Sequence, residues 1–197
     1  MTDGATHTMS LTGRQVGLDD TVAARAARGE SRAFAQIVAA HQGRVARVVH
    51  RLLGWPDEVE DVVQDVFVAA LKSLPSFRGE ASLPTWLLAI AVNQCRSHQR
   101  RQLVRQKFLA AARRLAAPRA PRTAGSRAMD REKHQLVRQA VRRLPLRLRE
   151  VVVLHYLEEM PLEGIARVLD LSRSAVGTRL HRARKRLAED LSGRFEE

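Results

Sequence analysis

The stretch PLEGIARVLDLSRSAVGTRLHRARKRL, residues 161–187, decides the reading of this chain. Leu162, Ile165, Ala166 and Leu169 recur at helical steps, as do Val176, Leu180, Ala183 and Leu187, which predicts two amphipathic helices sharing one apolar side. The tripeptide DLS at 170–172 turns the chain between them; Pro161 opens the first helix and Ser172 is placed to cap the second. This is the pattern of a helix-turn-helix, in which a short helix braces a second one. Outward on the second helix stand Arg173, Ser174, Gly177, Thr178, Arg179, His181 and Arg182, followed by Arg184. Such a face suits a major groove about 12 Å wide, where each good base contact contributes ~1–3 kcal/mol of discrimination. The spacing alone equally fits a solvated arginine face; the cap, the proline start and the charge of the whole chain favour DNA reading. Gly177 counts against it, because a glycine inside a helix costs ~1 kcal/mol relative to alanine and removes a side chain from the reading face.

The whole chain supports a polyanionic partner. Its 197 residues carry a formal net charge of +13, and the pI is near 11.4. Nucleic acid is the leading candidate partner and an anionic membrane surface the second. An aromatic fraction of 4% argues against a large aromatic-lined ligand pocket. No run of about 18 apolar residues is present and the N-terminus has no secretory pattern, so no membrane insertion and a cytoplasmic location are expected. The single cysteine, Cys95, forms no internal disulfide and fits a reducing compartment.

Helical periodicity extends through most of the remainder. Residues 1–18 show none and read as disordered. Phe34, Ile37, Val38, His41, Val45, Val48, Val49 and Leu52 draw an apolar stripe that GWP, 54–56, terminates. Val59, Val62, Val63, Val66, Phe67, Ala70, Leu71 and Leu74 draw a second, stopped by Pro75. The loop PSFRGEASLP leads into TWLLAIAVNQCRSHQRR, residues 85–101, apolar first and basic last. From 102 to 131 Ala, Arg, Pro, Gly and Ser displace the larger apolar residues, a basic linker with a helical start. Periodicity resumes at Leu136, breaks at Pro145 and restarts through REVVVLHYLEE, 149–159. The expected fold is all-α: a bundle over 19–101, a flexible basic linker over 102–131, and a helix-turn-helix domain over 132–197.

An acidic stripe sits oddly in so basic a chain. Asp57, Glu60, Asp61, Gln64 and Asp65 lie opposite the apolar face of the second helix, with Val68 continuing the line. Carboxylates repel phosphates, so this surface gains nothing on DNA. It is either a solvated face favoured by the helix dipole or a docking face for a basic protein partner.

With both surfaces located, the chain resembles the extracytoplasmic-function (ECF) sigma factors of bacterial RNA polymerase, the compact class that keeps sigma regions 2 and 4. The resemblance runs from about Asp19 to Leu191 and rests on EDVVQDVFVAAL (60–71), FRGEASLPTWLLAIAVNQCR (77–96) and LDLSRSAVGTRLHRARKRL (169–187), in that order. It implies that 19–101 is the region 2 domain, contacting core polymerase and the minus-ten element, and 132–197 the region 4 domain, contacting the minus-thirty-five element. Asp61, Gln64 and Asp65 would then lie on the surface gripping the clamp helices of the largest polymerase subunit. Loop 77–84 and the following helix would open the minus-ten element, with Asn93 at the position that helps to hold a flipped base. Thr178, His181 and Arg182 would read the minus-thirty-five element, with Arg173, Arg179 and Arg184 nearer its backbone. A sequestering anti-sigma partner is implied as well.

Read from the residues, the minus-ten surface is fainter. Arg96, Arg100 and Arg101 give the helix a basic end suited to tracking phosphates, with Arg78 in the preceding loop. Trp86 has the spacing of a core residue with Ile90, although its ring also suits stacking on a base. Asn93 is equally a surface or capping amide. Two features depart from the family pattern: Gly177 where lysine or arginine is common, and a linker carrying Arg105, Lys107, Arg113, Arg114, Arg119, Arg122 and Arg127.

No metal-ligand spacing is found among the seven histidines, and no phosphate-cradling glycine loop, nucleophile elbow or catalytic carboxylate pair, so no metal, cofactor or enzymatic activity is expected. The competing reading is a stand-alone helix-turn-helix regulator whose first bundle dimerises or senses a ligand. It leaves the acidic stripe without a task. A recombinase or nuclease with a helix-turn-helix tail lacks the residues for its chemistry.

Overall fold

The apolar stripes become helices in the order predicted. The structure is a computed structural model that describes residues 21–54, 58–113 and 129–195. The N-terminal segment 1–18, Asp57 and the linker residues 114–128 lie outside the described residues. After a helical stretch at 21–27 (α1) come α2 (Ser31–Leu53), α3 (Val59–Ser73), a 3-10 turn (Leu74–Ser76) and α4 (Leu83–Arg113). The second half contains α5 (Met129–Arg143), α6 (Leu146–Val152), a π-helical turn (Val153–Leu157), α7 (Leu162–Leu169) and α8 (Arg173–Phe195). No strand occurs among the described residues.

Helices α2, α3 and α4 form the first bundle. Ile37, Val45, Val48, Val49 and Leu52 of α2 meet Val62, Val66, Phe67 and Ala70 of α3 and Leu87, Leu88, Ala91 and Val92 of α4, all buried in one cluster. Burying a side chain of this size contributes ~1.5–3 kcal/mol, so the periodicity that predicted the helices also holds them together. Helix α2 ends at Gly54, whose φ of +79° is the left-handed conformation that lets its N–H return to His50 O. A Cβ there would also stand 3.2–3.4 Å from the Arg142 and Arg149 side chains, which would have to give way. The expected linker opens on helix: α4 continues through residues 102–113, leaving Leu103, Val104 and Phe108 exposed.

In the second half, Val141 and Leu144 near the end of α5 pack with Val152 and Ala183 in a small cluster of their own. The larger share of the second half joins the first. Val151, Val153, Leu154, Met160, Ile165, Val168, Leu169, Val176 and Leu180 belong to the same buried cluster as α2, α3 and α4. The two halves predicted as separate bundles are therefore packed against each other.

The restart after Pro145 departs from the prediction in one respect. Val153–Leu157 is a π turn, closed by Glu158 N–H donating to Val153 O at 3.1 Å, and Glu159 follows at φ +53°. This wider turn carries Glu158 onto α2.

Candidate functional site

The helix-turn-helix forms as its pattern demands. Asp170 closes α7 in the left-handed region at φ +54°, and Leu171 N–H returns to Ala166 O at 2.9 Å. Ser172 Oγ then accepts from Ala175 N–H at 3.2 Å, the cap expected for α8. Ile165, Leu169, Val176, Leu180 and Ala183 are buried, with Leu162, Ala166 and Leu187 half-buried beside them.

On the outer side of α8, Arg173, Ser174, Thr178, His181, Arg182 and Arg184 are exposed. Thr178, His181 and Arg182 share one face at three- and four-residue steps, with Thr178 Oγ1 donating to Ser174 O at 3.0 Å. Arg173 pairs with Glu163 at 3.1 Å on the surface. Arg184 is held by Tyr156, donating to its hydroxyl at 2.6 Å. Gly177 meets nothing within 4 Å of a built Cβ, so its smallness answers no steric demand within the protein.

Arg179 is the correction on this face. Expected outward, its side chain is only 23% exposed and turns inward, Nη1 standing 4.0 Å from Glu150 Oε2. The cause is the partner, because a fully buried carboxylate at Glu150 draws guanidinium groups to itself.

The acidic stripe is exposed along α3: Glu60, Asp61, Gln64 and Asp65 face solvent, while Val62, Val66 and Phe67 face the core. Val68 extends the surface at 44% exposure. Asp65 takes an exposed contact from Arg101 at 3.3 Å. Below the stripe, Glu58 accepts from Gln102 at 2.6 Å and lies 3.1 Å from His98.

The expected minus-ten residues cluster on loop 77–82 and α4, but they are not equivalent. Arg78 is exposed in the loop and lines a cleft with Phe77, Glu80 and Trp86. Trp86 is half-buried against Phe77, ring centroids 5.1 Å apart, so it is both part of the packing and a wall of the cleft. Asn93 is exposed, its Oδ1 accepting weakly from Arg96 at 3.4 Å. Arg100 and Arg101 are exposed at the end of this face. Arg96 is engaged: its Nε and Nη2 donate to the two oxygens of Glu150, each at 2.7 Å. The Glu150 bond holds its guanidinium pKa above the ordinary arginine value against the opposing effect of burial.

Sequence reasoning passed over three residues. Glu150 sits inside the apolar run REVVVLHYLEE, where a lone glutamate reads as a surface position. Glu158 accepts from Arg44 at 2.9 Å and Arg51 at 3.0 Å. Arg149, on the same short helix, donates to the carbonyls of Leu52 at 2.7 Å and Leu144 at 3.0 Å, and also to that of Arg142. The detectable signal was three charged residues inside an otherwise buried pattern, each needing a partner.

No group of His, Cys, Asp and Glu suited to hold a metal ion occurs among the described residues. No helix among them is long and apolar enough to cross a membrane.

Comparison with known proteins identifies the family. Residues 37–104 match the family Sigma-70 region 2, and residues 134–187 match Sigma-70, region 4. The chain is 31% identical over 178 residues to the ECF RNA polymerase sigma-E factor of Escherichia coli K12, spanning 85% of this chain and 91% of that one. To the sigma-E factor of Haemophilus influenzae it is 30% identical over 174 residues, spanning 85% and 92%. Among solved structures, CnrH in complex with the cytosolic domain of CnrY is similar at a TM-score of 0.65 and 33% identity, covering 89% of this chain and 98% of that one. The sigma factor RpoE of Bartonella quintana shares the fold at a TM-score of 0.62 and 24% identity, covering 81% and 96%. The chain thus belongs to the ECF RNA polymerase sigma factors: it binds core RNA polymerase and directs it to promoter DNA, acting as an initiation factor rather than an enzyme.

Proposed function

We propose a division of this work among three surfaces of the chain. Residues 19–101 form the region 2 domain, whose acidic α3 face, Glu60, Asp61, Gln64 and Asp65 with the preceding Asp57, docks on core polymerase. Loop 77–82 and α4 open the minus-ten element through Arg78, Trp86, Asn93, Arg96, Arg100 and Arg101. Residues 132–197 form the region 4 domain, reading the minus-thirty-five element with Ser174, Thr178, His181 and Arg182 and gripping its backbone with Arg173, Arg179 and Arg184. Residues 102–131 connect the two. The work belongs to the cytoplasm, where polymerase and promoters meet.

The observation that carries this reading is the separation of charge in so basic a chain. Glu60, Asp61 and Asp65 line one exposed face of α3, whereas α4 exposes Arg100, Arg101 and Arg105 and α8 exposes Arg173, Arg182, Arg184 and Arg186. A carboxylate face suits a basic protein surface and repels phosphate. For melting, a base leaving the stack costs a few kcal/mol, and the cleft between Arg78 and Trp86 is a place where such a base can be held. Restraint by an anti-sigma partner is supported by the CnrH complex, in which a similar chain is bound by the cytosolic domain of another protein.

The test is capture of purified bacterial core polymerase by wild type and by Asp61→Arg, followed by run-off transcription on pooled genomic promoters. Reversing one charge of the stripe is expected to weaken core binding at least tenfold and abolish discrete transcripts, while leaving affinity for free duplex DNA unchanged. Full core binding by the variant would overturn the assignment of the α3 face.

A further inference from the structure

A cavity of about 860 Å³ lies where α2, α5, the π turn and α8 meet, and none of the residues proposed to contact DNA lines it. Its walls are Val59 of α3, Val137 and Val141 of α5, Val152 of α6, Leu157 of the π turn and Leu187 of α8. Val141 and Val152 are buried, whereas Val137, Leu157 and Tyr156 remain 45%, 44% and 48% exposed. Apolar side chains exposed singly are ordinary on a protein surface; three around one cavity mark a binding place. Tyr156 is fixed in position, its hydroxyl accepting from Arg184 Nε at 2.6 Å and its ring packed edge-on against His155, centroids 4.7 Å apart.

The charges on the lining are basic except for Glu60. Arg47, His50 and Arg51 come from α2 and Arg138 from α5. Arg51 is engaged, donating to Leu157 O at 3.1 Å and to Glu158 at 3.0 Å. Arg47 and Arg138 are exposed and form no hydrogen bond or ion pair among the described residues. The basic field reaches His50, whose imidazole is held below its ordinary pKa by burial first and then by Arg138 and Arg51.

We propose that this cavity binds one long-chain carboxylate, a free fatty acid anion, with its chain against the valine and leucine walls and its head on Arg47 and Arg138. The inference goes beyond the division of surfaces given above and does not depend on it. The volume falls within the range of about 300–1,000 Å³ usual for small-molecule sites. The lining offers no side-chain amide, and its one hydroxyl, that of Tyr156, is already held by Arg184, so a sugar or a nucleobase finds little to recognise it. A neutral hydrocarbon would leave both arginines without a partner. A carboxylate gives a guanidinium paired, charge-assisted hydrogen bonds, and the chain behind it gains about fourfold in affinity for each methylene buried.

The experiment is isothermal titration of the full chain with dodecanoate below its micellar concentration. One molecule should bind per protein. Octanoate should bind at least tenfold more weakly, and so should dodecyltrimethylammonium, which has the same chain and the opposite charge. Arg47→Glu/Arg138→Glu, both at exposed positions, should lower dodecanoate affinity at least tenfold by removing the head contacts. Ala46→Trp, which fills the cavity from α2, should abolish binding. Val137→Asp, at an exposed position, replaces it should Ala46→Trp lose its helical circular dichroism. Absence of binding, several equivalent sites, equal affinity for the cationic amphiphile, or affinity unchanged in helical variants would overturn the proposal. Sedimentation of the same samples should show a monomer throughout; a dimer that Val137→Asp dissociates would make a second copy the occupant and overturn it as well.

Discussion

Cys95 lies within α4, fully buried among Val92, Leu88 and their neighbours, one residue before the arginine that holds Glu150. Burial, and secondarily the Glu150 charge, push its thiol up to about 12. A thiolate is the reactive form, so this cysteine is inert packing in the folded protein. The raised value has a stability consequence. The folded state keeps the proton that the unfolded chain releases, so the contribution is fully present below the unfolded thiol pKa and is lost as pH rises through about 12. At pH 8, iodoacetamide should leave native protein unmodified for hours and alkylate it fully in 6 M guanidinium. Rapid native alkylation would show that α4 opens locally and that the thiol is available to oxidants.

At the scale of the element, the start of α8 governs the face proposed to read DNA. Ser172 satisfies the Ala175 N–H, and the helix it begins presents Thr178, His181 and Arg182. Ser172→Ala should cost ~1 kcal/mol of stability through loss of the cap. Because the cap sits at the end proposed to read DNA, minus-thirty-five duplex affinity should fall with it, whereas core binding, proposed through α3, should not change. Calorimetry and duplex titration check both; an unchanged melting temperature would mean that water replaces the cap. This element was legible in the sequence because each determinant is local: apolar residues at i, i+3 and i+4, a hydroxyl at the cap, a turn of three residues. The faces of α2 and α3 were legible for the same reason. Arg179, Glu150 and Glu158 were not, because their positions depend on which distant helix covers them. Arg179 looks outward on a helical wheel, and only the packing of α6 beneath it turns it inward. The π turn at Val153–Leu157 escaped too, since an added residue in a helical turn leaves no mark in an apolar pattern.

At the scale of the molecule, the charges are sorted rather than neutralised. A net charge of +13 coexists with the acidic face of α3, so the orientation of the chain on its two partners is set by which surface each one repels. The basic surfaces should act on DNA chiefly by displacing counterions from phosphates. For about six neutralised phosphates, the logarithm of the association constant falls with the logarithm of salt concentration at a slope of about −5, close to a thousandfold loss between 50 and 200 mM. Titrating a random-sequence duplex at four salt concentrations measures this slope. Arg100→Ala should make it shallower by about one and Asp61→Arg should not, since the latter lies on the face proposed to dock on polymerase. A slope shallower than about −2 in wild type would mean that the arginines of α4 and α8 are held by the protein's own carboxylates, as Arg96 is by Glu150.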